Sequence, residues 1–492
     1  MFMPFLRIFP VLGAITMVFA LTMLVPMGVS FWTHDGARLA YPEAMAVTLL
    51  AGILMRLAVR KVGKDLDLQA RDGILLVGLS WTMLPLFAAM PLWLYFSETP
   101  TPLSFTDGYF EAVSALTTTG STVLSGLDEL PGSINLWRCF LQWLGGMGIL
   151  VLAVAILPML GMGGSQLFRA EATGPMKDAK LTPRITETAK GLWTVYCLLS
   201  AACVLGYWLG GMTPLDAWTH MFSTLSLGGL SSHDASFGYF QSPTLEWVAI
   251  VFMLLASCNF ALYFVALAKR QPSRIWHDAE WRGTLALSIG AGLFVAGLLW
   301  VKGEATDPGE TLRMALFNVI SISSTTGYST TDYTLWPVFA PMLMIMLSGV
   351  ATSAGSTGAG IKMARIVILL KQARREMSRI IHPRAINPVT MGGNVVQERT
   401  IFAVLGFMLV YGGVIIGLTM VLLLTDMPFD TAFTAVVASV NNMGPGLNEV
   451  GPAGNYEGLT DFQTWICTLA MILGRLEMLS FLVLFTPGFW RK

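Results

Sequence analysis

The chain has 492 residues, of which 54% are hydrophobic and 12% charged; 30 basic and 30 acidic side chains leave a formal net charge of zero. A soluble domain carries about 25% charged residues, so the composition points to a polytopic membrane protein and argues against a nucleic-acid partner. Its five cysteines, Cys139, Cys197, Cys203, Cys258 and Cys467, lie in apolar segments without metal-ligand spacing. They read as small hydrophobes in a lipid-embedded fold.

The N-terminus carries Arg7 followed by an apolar run to Trp32. That run is too long for a signal-peptide core, so a retained first membrane helix is expected. Spans long enough to cross a bilayer follow at 42–61, 73–96, 136–160, 189–210, 245–268, 283–301, 335–378, 400–424 and 463–486. The segment 335–378 is apolar to Val350, small and polar through Ala351–Gly360 (ATSAGSTGAG), then apolar and finally basic. A broken helix with an intramembrane loop is expected there, because irregular backbone at that depth must line a cavity or lie buried in protein.

Between spans lie four shorter amphipathic stretches, 104–118, 214–226, 311–325 and 428–442. Each ends in a small-residue string: Leu116–Thr122 (LTTTGST), Leu225–Ser231 (LSLGGLS), Ser324–Thr330 (STTGYST) and Asn441–Leu447 (NNMGPGL). The repeat predicts four re-entrant half-helices followed by strands carrying Gly120, Gly228, Gly327 and Gly444. Phe110, Trp218 and Phe317 stand ten residues before their glycines, and Phe433 eleven before Gly444. Gly228 follows from its spacing to Trp218; the adjacent Gly229 stays open. An acid begins each half-helix (Asp107, Asp216, Glu310, Asp430), where a helix N-terminus favours negative charge.

The expected architecture is an all-α polytopic membrane protein with four helix–pore loop–helix repeats around one pseudo-fourfold pore, plus two N-terminal helices. The divisions are 1–72 for the N-terminal pair, then 73–188, 189–282, 283–399 with the broken second helix, and 400–492 for the repeats. Lysine and arginine crowd one side, leaving only Arg38, Arg138, Lys302 and Arg313 on the other. Both termini are therefore expected in the cytoplasm, with the half-helices entering from outside.

A selective cation filter must replace an ion's water shell with oxygens, and rings of backbone carbonyls do this for potassium. Glycine permits the backbone conformations such a ring needs. The half-helix C-termini present negative dipole ends to a cation. The expected filter residues are Thr118, Thr119 and Gly120; Ser226, Leu227 and Gly228; Thr325, Thr326 and Gly327; and Asn442, Met443 and Gly444. Outside them stand Asp128, Asp234, Asp332 and Glu449, a cation-attracting mouth, with a His233–Asp234 hydrogen bond expected there.

Arg475 falls mid-span in Gly474–Glu477 (GRLE). A charge at that depth normally faces a cavity or a partner, so Arg475 is expected to face the pore below the filter. The small-residue stretch Gly349–Gly360 is the other candidate gate. Gly355–Lys362 (GSTGAGIK) lacks the lysine position and preceding strand of a phosphate-binding loop. Gly145–Gly148 (GGMG) reads as helix packing. The histidines form no metal or catalytic set, so enzymatic function is not expected.

These residues resemble the Trk/Ktr/HKT superfamily of potassium transporters, most closely the bacterial TrkH/TrkG/TrkI type of membrane subunit. The specific segments are Gln142–Gly161 (QWLGGMGILVLAVAILPMLG), Arg169–Glu171 with Lys180–Arg184, the four filter strings, the Gly349–Lys362 loop and GRLE. The resemblance implies potassium as the transported ion, no catalytic cofactor, a homodimer in the bacterial inner membrane, and a cytoplasmic nucleotide-binding (TrkA-like) regulatory ring. It also implies a gating loop, carried over as Gly349, Ala351, Thr352, Ser353, Gly355, Gly358, Gly360 and Lys362, with Arg475 nearby. Glycine in all four strands goes with potassium in this family. Gated conduction is the expected mode, and symport of K+ with Na+ or H+ the alternative, since only Glu477 offers a deep proton carrier. Basic runs at 177–190, 269–282 and 362–384 fit either anionic lipid or a partner; the resemblance favours the partner.

Overall fold

The computed structural model describes residues 3–58, 70–155, 181–303, 307–385, 387–392, 394–476 and 478–491. The basic run 177–190 lies partly outside these residues, and the candidate proton carrier Glu477 lies wholly outside them.

Among the described residues, six helices are long and apolar enough to cross a membrane: Ile8–Thr33, Ala40–Leu57, Arg71–Ser97, Thr188–Leu209, Ala279–Lys302 and Glu398–Leu423. Val18, Leu50, Phe402 and Leu409 stand outward on them, well exposed. Lipid tolerates such surfaces and water does not. The N-terminal pair crosses at Gly13 and Gly52, where a Cβ on either would come within 3.0 Å of the partner helix. Small residues permit that approach where lipid supplies no hydrophobic drive.

Four half-helices too short to cross follow the pattern of the sequence: Phe105–Leu116, Pro214–Ser226, Pro308–Ser323 and Phe429–Val440. The first three begin on a side-chain cap, with Ser104, Thr213 and Asp307 accepting from the backbone N–H of Asp107, Asp216 and Glu310. Three of the predicted acids therefore occupy the third helical position of a capped turn, beside free N–H groups that favour negative charge. Asp430 instead accepts from Thr431 N and from the Asn448 side chain.

The packing order closes a ring. Each half-helix packs on the preceding helix and the following helix of its own repeat. It also meets the second helix of the repeat before it: Gly132–Ala155 meets the second half-helix, Pro243–Ala256 the third, Phe339–Ser348 the fourth, and Asp461–Arg475 the first. The last contact joins the fourth repeat to the first.

The broken second helix of the third repeat is present: Phe339–Ser348 stops, an irregular segment follows, and Met363–Ile381 resumes. It is not alone, contrary to the sequence expectation. The second helix of the second repeat bends by 86° between Pro243–Ala256 and Phe260–Ala268, and that of the fourth by 112° between Asp461–Arg475 and Met478–Phe485. At the first bend the Asn259 side chain accepts from Ala261 N, starting a new helix in the middle of the predicted span.

Candidate functional site

All four half-helices end in the same turn. A left-handed residue follows the helix: Thr118 (φ 53°), Leu227 (φ 55°), Thr325 (φ 64°) and Asn442 (φ 49°). The next residue donates its N–H to the carbonyl five residues back, Thr119 to Ser114, Gly228 to Ser223, Thr326 to Ser321 and Met443 to Ala438, at 2.8–2.9 Å. These are Schellman caps, usually built on glycine. Threonine at positive φ is a strained choice that surrounding structure must enforce.

One residue further on, the backbone turns left-handed again, at Gly120 (φ 87°), Gly229 (φ 72°), Gly327 (φ 90°) and Gly444 (φ 95°). This register corrects the spacing-based choice: Gly229, not Gly228, is equivalent to the other three. Trp218 misled the count. It is half exposed at the rim, whereas the positions ten before the ring glycines are the buried Phe110, Thr219, Phe317 and Thr434.

The four glycines form a closed cycle. A Cβ at Gly120 would come within 3.0 Å of Gly228 O, at Gly229 of Thr326 O, at Gly327 of Met443 O, and at Gly444 of Thr119 O. Each glycine thus faces the carbonyl just before the next repeat's glycine. Among the described residues, no hydrogen bond engages the carbonyls of Thr119, Thr326 and Met443, or those of Gly120, Gly229 and Gly327. Two carbonyls of the ring are engaged: Gly228 O accepts from Gln142 Nε2 at 2.6 Å, and Gly444 O accepts from Ser121 Oγ at 3.0 Å and Tyr456 Oη at 2.9 Å. Thr119, Thr326 and Met443 are buried, where carbonyls without partners are rare, and the four ring glycines line one cavity.

The polar side chains below the ring are committed to each other. Thr119 Oγ1 bonds Thr117 Oγ1 at 2.7 Å and accepts from Asn442 Nδ2 at 2.9 Å. Thr326 Oγ1 bonds Ser324 Oγ at 2.7 Å. Ser226 Oγ turns back to Phe222 O at 2.7 Å.

Behind the strands lies a set of braces that sequence reasoning missed. The residue nine before each ring glycine is Glu111, His220, Asn318 and Ala435. Glu111 accepts from Thr122 Oγ1 and Val123 N; His220 Nε2 bonds Ser231 Oγ at 3.0 Å; Asn318 Nδ2 donates to Thr330 Oγ1 at 2.8 Å. In the fourth repeat Thr434 Oγ1 takes over, accepting from Leu447 N at 3.0 Å. Three of four repeats therefore pin the outgoing strand with a polar side chain at one register position, a signal legible only once Gly229 heads the second strand.

Glu111 is paired with Arg138 at 2.7 Å, both side chains fully buried. Arg138 also donates to Asn135 Oδ1, Ser231 O and Thr122 Oγ1. Arg138 is an internal strut joining the first and second strands.

At the mouth, His233 bridges Asp128 and Asp216 rather than Asp234, and its ring stacks on Tyr239. Asp234 accepts from Leu127 N, and Asp128 from Asp234 N, so the first two repeats interlock. Burial opposes the charge on His233, but the hydrogen bonds to Asp216 and Asp128 outweigh it and raise the imidazole's pKa. Burial likewise works against the Asp216 carboxylate, yet bonds from His233, Thr213 and Ser232 bring it down to about 2. Asp332 accepts from Thr334 N, and Glu449 is exposed.

Beneath the ring runs the irregular segment from Gly349 to Lys362, mostly buried and nowhere exposed. It touches three repeats. Thr357 Oγ1 donates to Leu225 O of the second at 3.0 Å, Ala359 N to Thr325 Oγ1 of the third at 3.3 Å, and Arg475 Nη1 of the fourth donates to Thr357 O at 3.0 Å. Internally, Thr352 Oγ1 donates to Ala359 O, Ile361 N to Gly349 O, and Lys362 Nζ to Gly358 O. Ser353 N donates to Ser257 O, and Gly355 O accepts from Phe260 N, at the bend of the second repeat. Gly355 and Gly360 are left-handed, and a Cβ on either, or on Gly358, would come within 3.0 Å of a neighbour. Ala351 is fully buried.

Arg475 follows Gly474, whose Cβ would come within 3.0 Å of Val440 O; Gly145 stands likewise against Leu116 O, and both carbonyls lie four residues before a ring glycine. Gly145 and Gly146 of GGMG thus serve close packing, and Arg475 occupies the place held by Gly146 in the first repeat.

The family model for TrkH, a cation transport protein, matches residues 43–291 and 303–492. The chain belongs to the TrkH family of cation transport proteins. It is 43% identical over 492 residues to the Trk system potassium uptake protein TrkH of Vibrio parahaemolyticus, covering 100% of both chains. It is 42% identical over 490 residues to TrkH of Escherichia coli K12, again covering 100% of both, and 35% identical to TrkG of the same organism over 98% of this chain and 97% of that one. The crystal structure of the potassium transporter TrkH from Vibrio parahaemolyticus superposes with a TM-score of 0.90 at 42% identity, covering 99% of this chain and 100% of that one. As a TrkH-family member this chain is a multi-pass membrane transport protein and not an enzyme.

Proposed function

We propose that this chain takes up potassium across the bacterial inner membrane, by conduction through a gated pore whose filter is the ring of four strands. The observation that carries the reading is the closed cycle of glycines, each facing an inter-strand carbonyl, with most ring carbonyls free of protein partners. An extended strand alternates its carbonyl directions. Left-handed residues at alternate positions turn successive carbonyls to one side, where they replace a cation's water. The filter residues are Thr118–Gly120, Leu227–Gly229, Thr325–Gly327 and Asn442–Gly444, with Ser226 beneath. The relatives named as potassium uptake proteins support potassium as the ion.

In this reading the buried segment Gly349–Lys362, tied to Arg475, bars the path below the filter. Arg475 adds a positive charge that cations must pass. The chain divides in the same reading into a two-helix N-terminal unit and four repeats, and the crowding of lysine and arginine on one side supports a cytoplasmic location for both termini. There the arginine-rich helix Met363–Ile381 offers a docking face for a nucleotide-binding ring subunit, and two copies of the chain pair as a homodimer.

Flux into liposomes tests the mode. With an imposed pH gradient and no potassium gradient, conduction predicts no net accumulation of potassium beyond that set by membrane potential. Uphill accumulation driven by protons, or likewise by a sodium gradient, would replace conduction with symport.

A further inference from the structure

The second strand is the only one of the four with consecutive glycines at the ring, and the first repeat explains why. The residue before the ring glycine is Thr119, Thr326 and Met443 in the other strands and Gly228 here. Gly228 has no left-handed φ, so its backbone does not require glycine. What requires it is Gln142. A Cβ on Gly228 would come within 3.0 Å of the Cδ, Nε2 and Oε1 atoms of the Gln142 carboxamide.

Gln142 belongs to Gly132–Ala155, the second helix of the first repeat, and is fully buried. Its Nε2 donates to Gly228 O at 2.6 Å, and its Oε1 accepts from Leu230 N at 3.2 Å. Only one orientation of the amide satisfies both, because a carbonyl only accepts and an N–H only donates. The two bonds bracket Gly229, holding the peptide groups on either side of the ring glycine.

The first and third strands carry instead a hydroxyl of their own just before the ring glycine. Thr119 Oγ1 bonds Thr117 Oγ1, and Thr326 Oγ1 bonds Ser324 Oγ, each at 2.7 Å and each within its own strand. We propose that Gln142 is a positioning residue for selectivity, lending the second strand from a neighbouring repeat the polar side chain that Gly228 lacks. The proposal rests on the ring being the filter. Gln142 acts through Gly228 and Leu230, whose fixed peptide planes keep the Gly229 carbonyl at a potassium-sized spacing. Without the clamp the second strand relaxes, and a smaller ion is accommodated as readily.

The test is the ratio of rubidium to sodium flux into liposomes holding the full-length protein, with rubidium standing in for potassium. Gln142→Leu removes both bonds at similar volume and lowers the ratio by about tenfold, the effect of losing roughly one net buried hydrogen bond. Gln142→Met serves the same purpose if the leucine variant does not fold. Gly228→Thr alone lowers the ratio by collision with Gln142. Gly228→Thr with Gln142→Ala makes the second strand like the first and third and recovers the ratio towards the unmodified value.

An unmodified ratio in the Gln142 variant, or a double variant no better than Gly228→Thr alone, overturns the clamp. Gly229→Ser is measured in parallel. If it lowers the ratio while Gln142→Leu does not, only the clamp fails; if neither changes it, the filter assignment fails with it.

Discussion

Arg475 donates from Nη1 to the carbonyl of Thr357 at 3.0 Å, joining the second helix of the fourth repeat to the buried loop of the third. Both residues lie inside the protein, and the loop reaches Leu225 and Thr325 as well. A hydrogen bond to a charged group contributes about 1.5–3 kcal/mol. Its loss therefore shifts a closed loop towards open states by about tenfold or more. Arg475→Ala is expected to raise basal potassium flux through the reconstituted chain alone. Equal or lower flux would remove Arg475 as a barrier.

Thr357→Val separates the loop's own anchors from the arginine. It keeps the Thr357 carbonyl for Arg475 but removes the hydroxyl that donates to Leu225 O, leaving a buried acceptor unpaired. A rise in basal flux smaller than that of Arg475→Ala is expected, because a neutral hydrogen bond is worth about 1 kcal/mol. A larger rise would place control at the hydroxyl.

Glu111 and Arg138 form a fully buried ion pair behind the first strand. Removing one partner leaves an uncompensated buried charge and costs roughly 3–5 kcal/mol. Thermal unfolding in detergent is expected to show a strong loss for Glu111→Ala and for Arg138→Ala. Glu111→Leu with Arg138→Met recovers only part of it, since the apolar pair removes the lone buried charge but leaves Val123 N, Asn135 Oδ1 and Ser231 O without these partners. Single variants as stable as the parent would mean that the pair is solvated.

His233 links Asp128 and Asp216 across the first two repeats. Its pKa is raised in the folded state, so its contribution to stability is full below the ordinary value of 6.5 and is lost as pH rises through the folded value. Asp216 is depressed to about 2, so its contribution is full above the ordinary 3.8 and is lost as pH falls towards 2. The mouth is therefore clasped most firmly between about 3.8 and 6.5. Melting temperature followed against pH is expected to decline on the alkaline side of this window, and His233→Gln to flatten that decline. An unchanged pH profile in the variant would contradict the assignment.

The four half-helices were legible because amphipathic stretches too short to span a bilayer recur before a glycine. The loop of the third repeat was legible because small polar residues interrupt an apolar run. The bends of the second and fourth repeats were hidden because Ser257–Asn259 and the GRLE region sit in composition that continuous membrane helices also tolerate. The second filter glycine was misplaced because Trp218 is an aromatic at the right distance on the wrong face. Backbone dihedrals, the cap hydrogen bond of Gly228 N and the neighbours of each Cβ separate Gly228 from Gly229. Gln142 and Glu111 were invisible for a different reason: their partners are on other elements, and a lone polar residue in an apolar helix has no spacing that names its partner.

In the proposed function, four equivalent glycines, Gly229 among them, close one selective ring. The direct measurement is the rubidium-to-sodium flux ratio of Gly120→Ser and Gly229→Ser in liposomes, beside the unmodified chain. Both substitutions force a Cβ against the carbonyl of the next strand, Gly228 O and Thr326 O respectively. Both are expected to lower the ratio substantially. Gly229→Ser with the unmodified ratio, in a protein that still conducts, would contradict the ring.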